Sequence, residues 1–323
     1  MSLEPFVAPW LLRNPHVQSI LGTSGPRRLL ARSRWRNLLS AAQPVLLTCS
    51  DGVRLQAHHS AQPHNTRGFV TLIHGWEGSA DSLYVLSAAG HLYDRGFDVL
   101  RLNLRDHGKT HHLNREPFTS TRLREVLEAL KSVGQIYPHD RRFLAGFSLG
   151  GNFALRVAAR APHEGIALSR VVAVCPVVLP HRTLDDLEKG WFLYRRYFLF
   201  KWKRSLRRKL ALHPELGFGP ALRRCRTLSE MNRHFVPLFT EFATPLEYCL
   251  GYSLAGHTLS ELRVPSHILA AADDPVIAAA HFEQLAGSPS LSVEISPHGG
   301  HCGFITSLSA ASWIDRRLDE LLV

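Results

Sequence analysis

Residues 141–152 read RRFLAGFSLGGN, and they join an apolar run, a glycine-flanked serine and the start of a helical pattern. The run 143–145 is typical of a buried strand, and residues 153–160 have helical spacing. Between them lies G-x-S-x-G, centred on Ser148, so the sequence predicts a strand, a tight turn and a helix. That turn would expose the Ser148 hydroxyl beside the helix N-terminus, where a developing oxyanion is stabilised.

The composition is that of a globular protein with a large core. The 323 residues are 45% hydrophobic and 20% charged. No run approaches ~18 consecutive apolar residues, and no secretory signal is visible at the N-terminus, so we expect no transmembrane helix and a cytoplasmic protein. The five cysteines are scattered, without C-x-x-C, which favours reduced thiols over disulfides or a zinc site.

The net charge of +11 is concentrated in one stretch of the chain. Between Lys189 and Arg226 there are 12 lysines and arginines against one acid, Glu215, an excess of 11. A charge of this size indicates nucleic acid, an anionic lipid surface or an acidic substrate as a partner. No nucleic-acid-binding module is recognisable in the sequence, so we do not expect nucleic acid to be the partner.

Apolar strands alternate with helical segments along most of the chain. The predicted strands are 45–48, 53–58, 69–73, 97–104, 143–145, 171–175, 267–271 and 291–295. The predicted helices include 80–95, 121–136, 153–160, 276–286 and 304–322. This alternation predicts a mainly parallel sheet with helices on both faces. The first two strands flank an Asp-Gly turn, which predicts an antiparallel hairpin at the edge.

The alternation stops between about residue 180 and residue 262. We therefore predict an N-terminal arm at 1–44, an α/β core at 45–180 and 263–323, and a helical cap insertion at 181–262. Within the insertion an apolar helical stripe is formed by Trp191, Tyr194, Phe198, Trp202, Leu206 and Leu210. Basic residues lie away from this stripe. The helix either packs on the core with a solvated basic face or lies on an anionic membrane.

A nucleophilic serine needs a base, and the base needs an orienting carboxylate. The strand 267–271 ends in Asp273 and Asp274, and we choose Asp274 as the acid, with Asp273 as the fallback and helix capping as the structural alternative. The strand 291–295 is followed by two histidines in a glycine-rich loop. We choose His301 as the base, because two glycines precede it and let the chain turn back, with His298 as the runner-up.

An oxyanion hole needs two backbone donors. The N–H of Leu149, directly after the nucleophile, is one candidate, and the N–H of Trp76, in the loop after the third strand, is the other. Asp106, His107, His111 and His112 cluster after the fourth strand, where they form either a metal site or a polar loop near the pocket mouth. The loop is favoured, and serine chemistry predicts neither a metal nor a cofactor.

Five motifs resemble those of the α/β-hydrolase superfamily across about residues 45–322, and more closely its YheT-like group, which includes plant EMB8-like and mammalian ABHD-type proteins. They are WLLRNPHVQSI at 10–20, HGWEG at 74–78, GFSLGGN at 146–152, AADDP at 271–275 and GGHCGF at 299–304. The arm motif is the most specific to the group. The resemblance implies an α/β-hydrolase fold with a mostly parallel eight-stranded sheet and a helical cap, and ester hydrolysis by a triad of Ser148, Asp274 and His301.

The sequence therefore predicts a serine hydrolase that cleaves carboxylic esters, acyl or lipid-like, through an acyl-enzyme. Thioesterase, amidase and C–C hydrolase activities share such a triad and stay open, as does a non-catalytic binding protein on the same scaffold. The expected partner is a small-molecule ester, with an anionic membrane as a second partner through the basic insertion. Acyl-chain length, head group and oligomeric state are not specified by these residues.

Overall fold

The computed structural model describes residues 5–24, 27–309 and 311–322, which contain a sheet of eight strands. The strands are β1 (Ala42–Thr48), β2 (Arg54–Ser60), β3 (Phe69–Ile73), β4 (Asp98–Leu102), β5 (Arg142–Phe147), β6 (Arg170–Val174), β7 (Ser266–Ala271) and β8 (Leu291–Ser296). Their order across the sheet is β1-β2-β4-β3-β5-β6-β7-β8. β2 is antiparallel to both its neighbours, and all other pairings are parallel. The expected sheet with an antiparallel edge hairpin is confirmed.

Helices cover both faces of this sheet. They are α1 (Pro15–Thr23), α2 (Arg27–Arg34), α3 (Arg36–Ala41), α4 (Leu83–Asp94), α5 (Leu123–Ile136), α6 (Leu149–Arg160), α7 (Pro180–Lys189), α8 (Phe192–Leu212), α9 (Gly219–Arg224), α10 (Leu228–Phe239), α11 (Pro245–Leu250) and α12 (Trp313–Leu321). Side chains alternate between the faces along β5: Leu144 packs in the cluster with α5 and α6, whereas Phe143 and Ala145 pack in the cluster with α4 and α12.

The chain after β7 differs from the sequence expectation. A helix over 276–286 was expected, but this segment contains only a short 3₁₀ helix, Ala279–Gln284. The reason is that the Asp274 carboxylate accepts hydrogen bonds from the amides of Val276 and Ile277, at 2.8 and 3.0 Å, and holds the chain in a turn. The segment thus fixes an acidic side chain instead of beginning a regular helix.

The helix expected over 304–322 begins only at Trp313, as α12. The amide of Phe304 donates to the carbonyl of Gly299 at 3.0 Å, which closes a loop where the helix was expected to start. Ser312 and Asp315 then form a reciprocal capping box that begins α12. The S-x-x-D spacing was the sequence signal for this later start.

Helices α7 to α11 lie between β6 and β7 along the chain, and α8 is the longest at 21 residues. Phe198 of α8 stacks on Trp76 of the loop after β3, with ring centroids 5.3 Å apart. Lys209 is fully buried and pairs with Asp106 at 2.7 Å. It also donates to the carbonyl of His111 at 2.7 Å, so α8 is fixed to the loops after β3 and β4.

None of the helices in the described part of the chain combines the length and the apolar character needed to cross a bilayer.

Candidate active site

Ser148 lies on the turn between β5 and α6, with φ 53° and ψ −119°. This positive φ is strained for any residue other than glycine, and such strain concentrates at functional sites. The turn is tight enough that a Cβ on Gly150 would come within 2.4 Å of the backbone oxygens of Ile73 and His74. The amide of Ser148 donates to the carbonyl of Val174 at 2.8 Å, which ties the turn to β6.

A continuous chain of hydrogen bonds joins Ser148, His301 and Asp274. Nε2 of His301 lies 2.9 Å from the Ser148 hydroxyl, and its Nδ1 lies 2.8 Å from a carboxylate oxygen of Asp274. The other Asp274 oxygen accepts the two amides described above, so this carboxylate is held on both sides. The structure thus brings together the three residues chosen from the sequence. Their catalytic role stays a prediction.

The two alternatives, Asp273 and His298, contact each other instead of Ser148. Nδ1 of His298 lies 3.3 Å from one Asp273 oxygen, and the other oxygen accepts the amide of Gly300 at 2.9 Å. Asp273 therefore binds the loop one residue before His301. Its contacts are those of a residue that positions the loop.

The environment of His301 favours its protonated form. Burial is the largest single effect and lowers the pKa of this imidazole, but the charge and hydrogen bond of Asp274, together with Cys302, outweigh it and raise the pKa to about 9. A carboxylate at this position stabilises the imidazolium that forms when His301 accepts the Ser148 proton.

The loop after β3 places Trp76 beside Ser148. Buried His74 shapes this loop: its Nδ1–H donates to the Gly75 carbonyl at 2.7 Å, and its Nε2 accepts the Leu104 amide at 3.2 Å. Neither the Trp76 amide nor the Leu149 amide donates a hydrogen bond to another residue in the described parts of the chain. The two amides chosen as oxyanion donors are thus available, although that role stays a prediction.

The sequence reasoning missed how the N-terminal arm holds the His301 loop. The amide of His301 donates to the Ser19 hydroxyl at 2.8 Å. Buried Gln18 donates to the Ile305 carbonyl and accepts its amide, at 3.0 and 2.7 Å. A Cβ on Gly300 would lie 2.4 Å from the Pro15 carbonyl, so arm and loop are in close backbone contact. The sequence did contain a signal for this role of the arm, since the arm motif is the one most specific to the YheT-like group.

The histidines after β4 bind protein groups. His107 donates to the Arg105 carbonyl at 2.7 Å and accepts the Glu77 amide at 3.1 Å, and burial lowers its pKa to about 4. His111 bonds to the Ser205 hydroxyl of α8 at 2.9 Å. These contacts are those of a polar loop at the pocket mouth.

Metal-capable atoms do converge at another place. Ligand atoms of Cys175, His301 and Cys302 lie within 4.8 Å of one another. Both ring nitrogens of His301 already bond to Ser148 and Asp274, so an ion there would have to displace one of them. Cys49, Asp51 and Glu128 form a second such group, remote in sequence from these motifs. All five cysteines are free thiols.

Two cavities meet at Ser148. One has a volume of about 950 Å³, including the open space at its mouth. Its wall is largely apolar and includes Leu149, Leu187, Trp202 and Ile277. The other has a volume of about 1800 Å³, again including the open space at its mouth, and is lined by His301 and several basic side chains. Trp76 lines both. Ser148 therefore lies between an apolar space and a basic one.

A family model described as the alpha/beta hydrolase fold matches residues 69–308. The chain belongs to the α/β-hydrolase family. "Putative esterase slr0264" of Synechocystis is 27% identical over 94% of this chain and 88% of its own length. "Putative esterase YheT" of Escherichia coli is 26% identical over 96% and 90%. These relatives confirm the resemblance to the YheT-like group.

Solved structures agree with this α/β-hydrolase fold. The Pyrococcus furiosus esterase Pf2001 has a TM-score of 0.57 at 16% identity, covering 87% of this chain and 91% of its own. The Bacillus subtilis carboxylesterase CesB has a TM-score of 0.55 at 15% identity, covering 92% and 99%. At these identities the likeness concerns the fold alone.

Proposed function

We propose that this α/β-hydrolase is a serine esterase that cleaves carboxylic esters of apolar acids through an acyl-enzyme. The observation that carries the proposal is the hydrogen-bond chain from Asp274 through His301 to Ser148 on a strained turn. Two relatives that align over most of their length carry the name "Putative esterase", which supports the same reaction class.

In the proposed mechanism His301 accepts the Ser148 proton while Oγ attacks the ester carbonyl. The Trp76 and Leu149 amides stabilise the tetrahedral oxyanion, and one such donor is worth about 2.7–4 kcal/mol. His301 then gives its proton to the leaving alcohol, which departs. The same histidine activates a water that attacks the acyl-enzyme, and the carboxylic acid is released. Asp274 holds the imidazole in the required tautomer throughout.

The apolar cavity supports acyl or lipid-like substrates. Its wall combines core residues with helix residues of 181–262, including Leu187, Trp202 and Leu206. We propose that these helices form a cap over the core at 45–180 and 263–323, with residues 1–44 as an arm that holds the His301 loop. Apolar surface of this extent favours an acyl chain over a small polar acid.

A fluorophosphonate probe tests the nucleophile. Wild-type protein should be labelled, and Ser148→Ala should not, while Ser120→Ala, a second serine at the same cavity, serves as the matched control and should label like wild type. Absence of labelling in wild type, or equal labelling of Ser148→Ala, would leave a non-catalytic binding protein as the better description. A p-nitrophenyl ester series from C2 to C16 would then define the acyl preference.

Thioester and amide hydrolysis use the same triad and are separated by matched substrates. An octanoyl p-nitrophenyl ester, the corresponding thiophenyl ester and the p-nitroanilide carry one acyl group on three leaving atoms. The esterase proposal expects the highest kcat/KM on the oxygen ester, after correction for the uncatalysed rate. A higher corrected value for the thioester or the anilide would reassign the activity.

We also propose that α8 contacts an anionic membrane. Phe192, Tyr197 and Phe200 are 49%, 51% and 57% exposed on this helix, and arginines lie among them. Exposed aromatics interspersed with cations are typical of helices that lie at a bilayer surface. Anionic vesicles should co-sediment wild-type protein, neutral vesicles should not, and Phe200→Ser should weaken the effect. Leu246→Ser, 55% exposed on α11, is the control, and equal binding to both vesicle types would reject the contact.

A further inference from the structure

The basic cavity at Ser148 is chemically opposite to the apolar one. Its wall carries the cationic side chains of Lys109, Lys201, Arg204 and Arg208, together with three acids, Glu77, Asp81 and Asp106. Arg204 and Arg208 project from α8, one turn apart, and Lys109 lies in the loop after β4. Cations therefore come from two separate elements that face one space.

Two of the three acids are neutralised by cations that do not line the cavity. Asp81 pairs with buried Arg101 at 2.9 Å, and Asp106 pairs with buried Lys209 at 2.7 Å. Burial raises the pKa of the third acid, Glu77, to about 8, against the opposing effect of nearby Lys201 and Arg204. Even as a carboxylate, Glu77 offsets only one of the four cationic side chains in the wall.

Arg204 lies over the ring of Phe200, 5.9 Å from its centroid, but three of the cavity's cations have no ion-pair partner in the described part of the chain. Among the described residues, no carboxylate lies within ion-pair distance of Lys109, Arg204 or Arg208. All three side chains are exposed. The cavity thus has a net positive potential that fixed acids leave uncompensated, which attracts an anionic ligand.

The position of His301 assigns one end of the substrate to each cavity. His301 must protonate the leaving oxygen, and it lines the basic cavity but not the apolar one. The leaving alcohol therefore belongs in the basic cavity. The acyl chain is then left to the apolar cavity, which begins at Leu149, directly after the nucleophile.

We propose that the substrate is an ester of an apolar acid with an alcohol that bears an anionic group, a phosphate or a carboxylate. This rests on the proposed esterase function and adds the leaving group to it. Water cleaves the acyl–oxygen bond, the acid leaves the apolar cavity, and the proton from His301 completes the hydroxyl of the anionic alcohol. Arg204 and Arg208 are the specificity-determining residues that bind the anion.

Three octanoyl esters that differ only in the alcohol test this. They are 1-octanoylglycerol 3-phosphate, 3-octanoylglycerate and 1-octanoylglycerol, all used below micellar concentrations. Wild type should show about a tenfold higher kcat/KM on the better anionic ester than on the neutral one, and high salt should reduce that ratio. The two anionic esters distinguish a phosphate from a carboxylate.

The double variant Arg204→Gln/Arg208→Gln should reduce the anionic-to-neutral ratio toward one. Arg207→Gln is the matched control, because it removes an exposed charge from the same helix outside the cavity wall and should leave the ratio unchanged. Equal rates on all three esters, or the same loss of ratio in Arg207→Gln, would overturn the proposal.

Binding to Ser148→Ala separates this proposal from the esterase function. Wild type could cleave none of the esters while Ser148→Ala still binds 1-octanoylglycerol 3-phosphate more tightly than 1-octanoylglycerol. If that preference also requires Arg204 and Arg208, the esterase function fails and the anion site stands. Glycerol 3-phosphate alone should bind more weakly than its octanoyl ester. Equal affinity would identify a free-anion site unrelated to the leaving group and overturn the proposal.

Discussion

The same two loops hold two carboxylate–imidazole pairs that differ sharply in their surroundings. In the inner pair, Asp274 and His301, the atoms are 2.8 Å apart and the side chains are 2% and 12% exposed. In the outer pair, Asp273 and His298, they are 3.3 Å apart and 18% and 41% exposed. The inner imidazole reaches Ser148, whereas the outer pair faces solvent.

This difference shows that residue type alone does not define the site. Asp273 and Asp274 are adjacent, but only Asp274 accepts two backbone amides at the carboxylate oxygen that does not contact its histidine. The first binds the amide of Gly300 and so holds the loop that carries His301. We therefore expect the inner pair to act on the reacting atoms and the outer pair to act through the loop.

The two histidines should differ most. His301→Ala removes the proposed base and should reduce kcat for an activated ester by on the order of 10⁵–10⁶-fold, whereas His298→Ala should reduce it by less than about tenfold. Steady-state kinetics with p-nitrophenyl octanoate measures both.

Comparable losses in the two histidine variants would abolish the distinction between the pairs. Thermal unfolding of each variant is the control, because a lower Tm would account for lost activity without a catalytic role.

The two aspartates sharpen the same contrast. Asp274→Asn should reduce kcat by about 10⁴-fold, because an amide favours the wrong imidazole tautomer and does not stabilise the imidazolium. Asp273→Asn keeps an oxygen that can accept the Gly300 amide and should cost less than about tenfold. If Asp273→Asn proved the more damaging change, the fallback acid of the sequence analysis would be the better choice.

Sequence reasoning predicted the parts of the site that depend on chain order and strand ends. Continuous apolar runs predicted the parallel strands, and in a parallel sheet their carboxyl ends share one edge. Ser148, Asp274 and His301 follow three such strands. Their convergence could therefore be expected without knowledge of any side-chain contact.

The parts that the sequence did not predict depend on contacts between distant segments. The turn after Asp274 replaces an expected helix because a side chain binds the following amides, and periodicity does not record such bonds. Helices α2 and α3, which lie within the predicted arm at 1–44, were not anticipated. The contact of Ser19 with His301 spans 282 residues, so no local pattern could show it.

The pH dependence of kcat/KM distinguishes the two pairs, because, of the two aspartates, only Asp274 raises the pKa of His301. His301 must be neutral to accept the Ser148 proton, so kcat/KM should rise with pH through its pKa, about 9, and fall in acid. Asp274→Asn removes the main effect that raises this pKa and should move the acid limb about 1–2 units lower. Asp273→Asn should leave the limb in place, because Asp273 does not contribute to the shift. A limb that moved equally in both variants would contradict the assignment.

An effect far smaller than those of His301→Ala and Asp274→Asn is expected for the arm, which supports the inner pair through the loop that carries His301. The Ser19 hydroxyl, on a residue 5% exposed, accepts the His301 amide and donates to the Pro15 carbonyl. Ser19→Ala leaves that amide unpaired, at a cost of about 1–3 kcal/mol. We expect a lower Tm and about a tenfold lower kcat with KM unchanged.

Ser19→Thr keeps the hydroxyl and should restore kcat, which a loss of packing alone would not predict. Ser24→Ala is the control, since among the described residues its hydroxyl bonds only to the Ile20 carbonyl, near the end of the same helix. If Ser19→Ala lowered Tm but left kcat at the wild-type value, the arm would stabilise the fold without positioning His301. The loop that carries His301 would then be positioned for catalysis by Asp273 and not by Ser19.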